Sequence, residues 1–234
     1  MPDPHGPEGH LFIVTYGRSG STLLQSLLNS IDGYCIRGEN YAALMHLCRA
    51  WEVIADGEAM RGHRTDGAPT GPDHPWYGAE LVDPEALGHA LAGVFTREVL
   101  RPPPGTRIAG FKEIRFRVFR AQLERYVDFL TRFFPGARFI FNTRDHDAVA
   151  RSGWWAQMPA EQVRRELAGA EEGFARMRAV LDPARHITLH YDDYAGRPEA
   201  LRPLFDWLGE PFDAARVGRV IERRLTHSGT PAQG

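Results

Sequence analysis

Short apolar runs and longer amphipathic stretches alternate along the chain. Five runs of four to six residues have the length and the β-branched or aromatic content of buried strands. They cover residues 11–16, 34–37, 107–112, 138–143 and 186–190. Between them, apolar residues recur at helical spacing over 23–31, 41–55, 84–100, 116–134, 146–153, 160–181 and 198–225. Strands that alternate with helices predict an α/β fold with a mostly parallel central sheet flanked by helices.

Length and composition predict one domain over residues 1–234. A chain of 234 residues with 43% hydrophobic residues can bury a core without disulfides or metals. Cys35 and Cys48 are therefore expected to be ordinary packing residues. The stretch 56–78 is rich in Gly, Pro, Asp and His. We interpret it as a functional loop that covers a ligand site.

Charge and hydropathy exclude several classes of protein. The chain has 28 Lys and Arg against 30 Asp and Glu, which argues against extended contact with nucleic acid. No run reaches the roughly 20 apolar residues of a membrane span, and residues 1–10 lack a signal-peptide pattern. We expect a cytoplasmic protein without a membrane span. The ten histidines lack metal-ligand spacing, so we also expect no metal site.

A glycine-containing loop joins the first predicted strand to the first helix. Its sequence over 17–22 is Gly-Arg-Ser-Gly-Ser-Thr. Gly17 and Gly20 allow the backbone to approach a ligand closely, and the N–H groups of 19–22 point outward at a helix start. Arg18 adds a positive charge that can hold phosphate-like oxygens. The loop therefore predicts an anion site.

The loop lacks the pattern of a nucleotide triphosphatase. That pattern needs Gly-x-x-x-x-Gly-Lys followed by Ser or Thr. Here Thr15 stands at the first glycine position and Ser21 at the lysine position. Phosphoryl transfer from a magnesium nucleotide is disfavoured. A small-molecule kinase and a noncatalytic nucleotide-binding module remain as alternatives.

Two segments carry a family resemblance. Residues 16–24, Tyr-Gly-Arg-Ser-Gly-Ser-Thr-Leu-Leu, resemble the phosphosulfate-binding loop of sulfotransferases that use 3′-phosphoadenosine 5′-phosphosulfate (PAPS). Residues 139–152 are similar to the segment in which the family's strand-end arginine and a serine eight residues later hold the 3′-phosphate. A weaker similarity, to a Tyr-Glu-Asp-Leu segment, starts at His190. The resemblance covers nearly the whole chain except 56–78, and extends to bacterial, carbohydrate and protein-tyrosine sulfotransferases.

The resemblance implies both a fold and an activity. The expected fold is the P-loop-like sulfotransferase fold. The expected enzyme transfers SO3 from PAPS to a hydroxyl or amine by in-line displacement, without a metal. Its acceptor is a carbohydrate, another small molecule or a tyrosine, and residues 56–78 form an acceptor-side lid. Nothing in the resemblance predicts the oligomeric state.

Three residues are assigned to the chemistry by the resemblance. Glu39 lies in a segment similar to the Arg-Cys-Gly-Glu of protein-tyrosine sulfotransferases, where the glutamate is the proposed base. Lys112 matches a strand-end lysine that stabilises the transferring group, and Arg18 takes up charge on the leaving phosphate. In the cytosolic branch of the family a histidine two positions after this lysine is the base. Here Ile114 stands at that position, which leaves Glu113 as a rival of Glu39.

The remaining assignments concern the donor. The residues expected to bind it are Gly17, Arg18, Ser19, Gly20, Ser21, Thr22, Arg144, Ser152, Tyr191 and Ser228. The first six hold the 5′ side, and Arg144 with Ser152 holds the 3′-phosphate. Ala156 replaces an arginine of protein-tyrosine relatives, which removes one donor contact. Trp154 and Trp155 are candidates for the adenine, the acceptor cleft or the core.

Overall fold

Five parallel strands form the centre of the molecule. The computed structural model describes residues 7–65 and 69–227. The strands are β1 (Gly9–Val14), β2 (Tyr34–Arg37), β3 (Ile108–Glu113), β4 (Arg138–Thr143) and β5 (His186–His190). Their order in the sheet is β2-β3-β1-β4-β5, and every neighbouring pair is parallel. The predicted α/β fold is confirmed.

Ten α-helices of the described residues surround the sheet. They are α1 (Ser21–Leu28), α2 (Ala43–Asp56), α3 (Glu58–Thr65), α4 (Pro84–Val94), α5 (Leu123–Phe133), α6 (His146–Ala150), α7 (Ala160–Ala179), α8 (Tyr191–Tyr194), α9 (Arg202–Leu208) and α10 (Ala214–His227). Short 3-10 turns lie at Ala79–Leu81, Phe116–Gln122, Gly153–Gln157, Pro183–Arg185 and Pro198–Leu201. Within the described ranges, no helix has the length and apolarity needed to cross a bilayer.

Alternation along β1 divides the core into two layers. Phe12 and Val14 belong to one buried cluster, with residues of α2, α4, α5 and α7. Leu11 and Ile13 belong to the other, with residues of α1, α9 and α10. Successive side chains of a strand point to opposite faces, so one strand serves both layers. Each fully buried side chain of this size contributes about 1.5–3 kcal/mol.

Several predicted helices have different bounds in the structure. The helix predicted from 41 begins at Ala43, because Tyr41 and Ala42 have left-handed backbone angles. The helix predicted over 116–134 is divided, since Phe119 departs from helical angles between the 3-10 turn and α5. The helix predicted over 84–100 ends as α-helix at Val94 and continues as a π-helical turn.

The loop predicted over 56–78 contains a helix. This helix, α3, buries none of its own residues, so its sequence has no apolar face that could reveal it. Arg64 fixes it by donating to two carbonyl oxygens near the end of α2, Ile54 O (2.7 Å) and Ala55 O (2.6 Å). Residues 66–68 lie outside the described residues. Beyond them Thr70 donates to Glu80 Oε2 (2.9 Å), which joins the rest of the stretch to the turn that follows.

Candidate active site

The residues singled out from the sequence lie along one edge of the sheet. Gly17 follows β1, Glu39 follows β2, and Lys112 is the penultimate residue of β3. Arg144 follows β4 directly, and Tyr191 follows β5 directly. Parallel strands bring their carboxyl ends together, and ligands of open α/β sheets bind outside that edge.

The glycine loop ends in a helix start that suits an anion. Arg18 and Gly20 both have positive φ angles, 68° and 78°, and α1 begins immediately afterwards at Ser21. Its first turn contains no acidic residue, and Gly20 offers no side chain to cap it. The first N–H groups of a helix lack partners within the helix and carry partial positive charge. The loop thus offers backbone donors to a phosphate or sulfate group.

Two aromatic rings explain why the loop contains glycine. A β-carbon on Gly17 would lie 2.2 Å from Trp154 Cζ2, and one on Gly20 would lie 2.0 Å from Tyr191 Cδ2. Each ring therefore packs directly on the glycine backbone. Gly20 also adopts a positive φ that side chains disfavour. The glycines are required by these rings as well as by the loop's shape.

Buried polar groups support the loop from inside. Thr15 Oγ1 donates to Asn142 O (2.7 Å), and the Ser19 hydroxyl lies 2.6 Å from Thr15 Oγ1. Asn142 Nδ2 donates to Ser19 O (3.0 Å), and Tyr194 donates to Asn142 Oδ1 (2.8 Å). All four residues are buried. The Ser19 hydroxyl thus stabilises the loop from inside. Ser19 can therefore donate to the anion only through its backbone N–H.

The two family segments meet in space. Arg18 Nε donates to Ser152 Oγ (2.9 Å), and Arg144 Nη1 donates to Arg18 O (3.0 Å). Trp155 Nε1 donates to Gly17 O (3.1 Å). Residues more than 120 positions apart in sequence, such as Arg18 and Ser152, therefore share one site. The structure thus brings together the two segments that carry the family resemblance.

Tyr16 fixes the backbone at Arg144, a role that the sequence did not reveal. Its hydroxyl accepts from Arg144 N (2.8 Å) and lies 2.8 Å from Glu171 Oε1, to which it donates. His146 Nε2 also lies 3.0 Å from the same Glu171 oxygen. Burial raises the pKa of Tyr16 well above its ordinary value, so the hydroxyl keeps its proton. A tyrosine before a glycine loop gives no signal that distinguishes this contact from simple packing.

Arg144 has an N–H group without a hydrogen-bond partner among the described residues. Its Nε is buried and unbonded, and the carboxylate oxygen paired with it, Asp192 Oδ1, is 3.9 Å away. Its Cζ lies 4.6 Å from the centroid of the Tyr191 ring. The side chain as a whole is 25% exposed, so solvent reaches part of it. An arginine with an unused donor fits a phosphate group.

Opposite this arginine, Glu39 forms ion pairs with two cations. Lys112 Nζ lies 2.8 Å from Glu39 Oε1, and Arg115 Nη1 lies 3.1 Å from Glu39 Oε2. The Lys112 side chain is 9% exposed, so this pair compensates the burial of its charge. Glu39 is 30% exposed and has used one acceptor site on each oxygen. A carboxylate has about four such sites, so it can still accept a ligand proton.

Glu113, the rival of Glu39, is buried and accepts four hydrogen bonds from the protein. Its Oε1 accepts from Ile114 N (2.8 Å), Arg115 N (3.1 Å) and Arg115 Nη1 (2.7 Å). Its Oε2 accepts from Ala42 N (2.8 Å), and its side chain is 1% exposed. Oε1 thus accepts three donors and Oε2 one, and the burial of the side chain keeps the remaining acceptor site of Oε2 away from a ligand. Between the two glutamates, only Glu39 combines access with free acceptor capacity.

A small cavity of about 150 Å³ lies beside the loop. Its lining residues are Tyr16, Gly17, Ile114, Arg115, Arg117, Trp154, Trp155, Glu166, Leu167 and Ala170. Trp154 is half-exposed, whereas Trp155 is buried in the core. An engineered protein cavity of about this size accommodates a single benzene ring. Arg115 lines the cavity and also pairs with Glu39, whereas Glu39 itself is not among the lining residues.

Two expectations are left as predictions. Ser228, expected to cap the donor, lies outside the described residues. Within the described ranges, no group of three His, Cys, Asp or Glu side chains is placed to hold a metal ion. The absence of a metal from the reaction remains an expectation from the sequence.

Comparisons with known proteins identify the family and the fold. The model of the sulfotransferase family matches residues 10–214. The sulfotransferase domain of the Synechococcus PCC 7002 olefin synthase is 21% identical, with a TM-score of 0.58 over 99% of this chain and 84% of that one. Sulfotransferase STF9 from Mycobacterium avium is 16% identical, with a TM-score of 0.50 over 95% of this chain and 69% of that one.

A third solved structure shares the fold. The sulfotransferase domain of the curacin biosynthetic pathway is 16% identical, with a TM-score of 0.50 over 90% of this chain and 76% of that one. No curated protein matches the sequence. The structural similarities establish the fold, and the family model covers most of the chain. The protein therefore belongs to the sulfotransferase family and is a sulfotransferase enzyme.

Proposed function

We propose that the protein transfers SO3 from PAPS to a hydroxyl or amine of a small-molecule acceptor by in-line displacement. One observation carries this proposal: the Arg18–Ser152 hydrogen bond joins the anion-binding loop to the segment that holds Arg144. The donor is elongated and has an anionic group at each end. Both of these groups can therefore be bound in a single cleft. Membership of the sulfotransferase family supports the same donor.

Donor binding divides between two groups of residues. The N–H groups of 19–22, the hydroxyls of Ser21 and Thr22, and Arg18 hold the 5′-phosphosulfate, with Gly17 and Gly20 giving the loop its shape. Arg144 and Ser152 hold the 3′-phosphate. Ser152 Oγ already accepts from Arg18 Nε, so its own proton is available to a phosphate oxygen. Tyr191, whose ring lies beside Arg144, flanks this phosphate. Ser228 is a further residue proposed to contact PAPS.

The chemical step needs a base and positive charge. The acceptor oxygen or nitrogen attacks sulfur while its proton passes to Glu39. The bond between sulfur and the 5′-phosphate oxygen breaks, and its electron pair leaves with adenosine 3′,5′-bisphosphate. Lys112 and Arg18 stabilise the negative charge that develops on the transferring and leaving groups. No metal takes part in this scheme.

The cavity beside the loop is proposed as the acceptor site. A volume of about 150 Å³ accommodates one ring rather than an extended glycan. Trp154 and Leu167 offer apolar contacts, and Arg115 and Arg117 lie at the polar side. We therefore favour an acceptor that presents a single ring over a long carbohydrate. Residues 56–78 remain the proposed lid on the acceptor side of a single domain.

Calorimetry with adenosine 3′,5′-bisphosphate, followed by an acceptor screen with PAPS, tests the proposal. A sulfotransferase binds the bisphosphate and transfers sulfate to at least one phenol, alcohol or amine. A noncatalytic module binds the bisphosphate but modifies none of them. A kinase turns over ATP with magnesium and ignores PAPS. Absence of bisphosphate binding at millimolar concentration would exclude the donor proposed here.

A further inference from the structure

The segment that carries Glu39 has an unusual backbone. Tyr41 and Ala42 follow each other in the left-handed region, with φ angles of 58° and 60°, and neither is glycine. Such angles are unfavourable for side chains with a β-carbon and persist only where surrounding contacts impose them. Tyr41 is 80% exposed, so burial of its ring does not impose them.

The contacts that impose this backbone come from the end of β3. Glu113 Oε2 accepts from Ala42 N, at 2.8 Å. The guanidinium carbon of Arg115 lies 4.6 Å from the centroid of the Tyr41 ring. Both left-handed residues are thus held by side chains of one short segment, 113–115. The ladder of the sheet itself takes no part, because β2 ends at Arg37.

Arg115, which contacts the Tyr41 ring, also forms an ion pair with Glu39. Arg115 Nη1 lies 2.7 Å from Glu113 Oε1 and 3.1 Å from Glu39 Oε2, so one nitrogen joins two carboxylates. Lys112 holds the other oxygen of Glu39. Glu39 cannot rotate about its terminal bond without breaking one of these two ion pairs. Its remaining acceptor sites therefore have a fixed direction.

We propose that Glu113 and Arg115 are positioning residues that hold Glu39 in the orientation needed to take the acceptor proton. This inference rests on the proposed function. Glu113 holds the backbone of the segment, and Arg115 transmits that position to the carboxylate. Neither residue exchanges a proton with the acceptor, since Glu113 is buried and an arginine keeps its protons.

A double-mutant cycle on Arg115 and Glu39 tests this role. Arg115→Lys keeps the charge but replaces the rigid, planar guanidinium, whose Nη1 contacts both carboxylates, with a compact ammonium on a flexible stem. Misplacement of a reacting group by about 1 Å can lower the rate about 100-fold. We expect kcat to fall about 10- to 100-fold, with the affinity for adenosine 3′,5′-bisphosphate within about twofold of wild type. In a Glu39→Gln background, the same substitution should lower kcat by less than about twofold.

The assay follows release of the bisphosphate from PAPS, with millimolar 4-methylphenol as acceptor and in parallel with water alone. Arg176→Lys is the matched control, because Arg176 pairs with Glu124 on the surface, away from the site. If Arg115→Lys lowers kcat as much in the Glu39→Gln background as in wild type, Arg115 acts independently and the inference is wrong. Failure of wild type to bind the bisphosphate or consume PAPS instead contradicts the proposed function.

Hydrogen exchange supplies a measurement that does not depend on turnover. Glu113→Gln places an amide N–H where Glu113 Oε2 now accepts from Ala42, so that contact is lost. The Ala42 amide should exchange at least tenfold faster in this variant, while the amide of Leu23 in α1 exchanges as in wild type. Unchanged protection of Ala42 would remove Glu113 from the proposal. Loss of protection throughout the chain would show a purely structural role and equally overturn it.

Discussion

The two halves of the cleft are built by different interactions. On the donor side, buried neutral groups hold the loop: Thr15, Ser19, Asn142 and Tyr194 exchange hydrogen bonds beneath it. On the acceptor side, ion pairs join the partly exposed Glu39 and Arg115 to each other and to the buried Lys112. Hydrogen bonds among buried groups fix one geometry because breaking them leaves unsatisfied polar atoms. Partly exposed ion pairs are weaker and more sensitive to salt and to substitution.

This difference separates binding of the donor from the chemical step. The donor half lies on β1 and β4, which are adjacent in the sheet, and its two segments contact each other directly. The acceptor half depends on β2 at the edge and on a segment with two left-handed residues. A substitution on one side should therefore leave the property of the other side largely intact. The following experiments examine that separation.

Replacing Glu39 has the largest expected effect. Glu39→Gln removes the proposed base while keeping the shape of the side chain, and general-base catalysis contributes about 10²- to 10⁴-fold. We expect kcat to fall by that factor, with the affinity for the bisphosphate within about twofold of wild type. Steady-state kinetics and calorimetry measure the two properties. Glu124→Gln, on the surface, is the control. A comparable loss of bisphosphate affinity in Glu39→Gln would show that the halves are not separate.

Replacing Arg144 should give the opposite result. Arg144→Ala removes a guanidinium with an unused buried N–H, and a charge-assisted hydrogen bond contributes about 1.5–3 kcal/mol. We expect affinity for adenosine 3′,5′-bisphosphate to fall about 10- to 150-fold, and kcat at saturating PAPS to fall much less. Adenosine 5′-phosphate, which lacks the 3′-phosphate, serves as the control ligand. Equal loss of affinity for both nucleotides would place Arg144 away from the 3′-phosphate.

How far the sequence predicted this molecule depends on the range of the interactions involved. The strands 34–37, 138–143 and 186–190 have the predicted bounds, because the local pattern of apolar residues is enough to indicate each of them. Helix α3 was missed because Arg64 holds it to α2, and no local pattern indicates that contact. Phe119 interrupts a helix whose apolar spacing continues on both sides.

How much of the site could be predicted also depends on the range of the interactions. The family resemblance, and not the spacing alone, placed Arg144 and Ser152 at the same site as the glycine loop. The two residues flank α6, one before it and one after it. The choice between Glu39 and Glu113 was not accessible from the sequence. It depends on the Ala42 N–H, which lies 71 residues from Glu113 and occupies its carboxylate. Contacts of that range are set by the packed structure.

The effect of a glycine substitution on the free energy of unfolding should differ between the two halves of the cleft. Gly20→Ala on the donor side combines a positive φ with a β-carbon 2.0 Å from the Tyr191 ring. We expect a loss of about 2–3 kcal/mol in the free energy of unfolding. Gly38→Ala, beside Glu39, places its β-carbon in open space, so we expect a change within about 0.5 kcal/mol. Urea denaturation measures both. Equal destabilisation by the two substitutions would contradict the close packing of the Tyr191 ring on Gly20.

The smallest effect tests how the donor half keeps Arg144 in place. Tyr16→Phe removes the hydroxyl that accepts from Arg144 N and faces Glu171, and leaves the buried N–H unpaired. An unsatisfied buried donor costs about 1–3 kcal/mol, part of which water near the cleft recovers. We expect about 1 kcal/mol less stability and a weaker affinity for the bisphosphate, by about two- to fivefold. Glu171→Gln keeps an acceptor oxygen for Tyr16 and should change the affinity less. If Tyr16→Phe lowered kcat and left bisphosphate affinity unchanged, Tyr16 would belong to the chemical step, and the division between donor binding and catalysis would not follow β1 and β4.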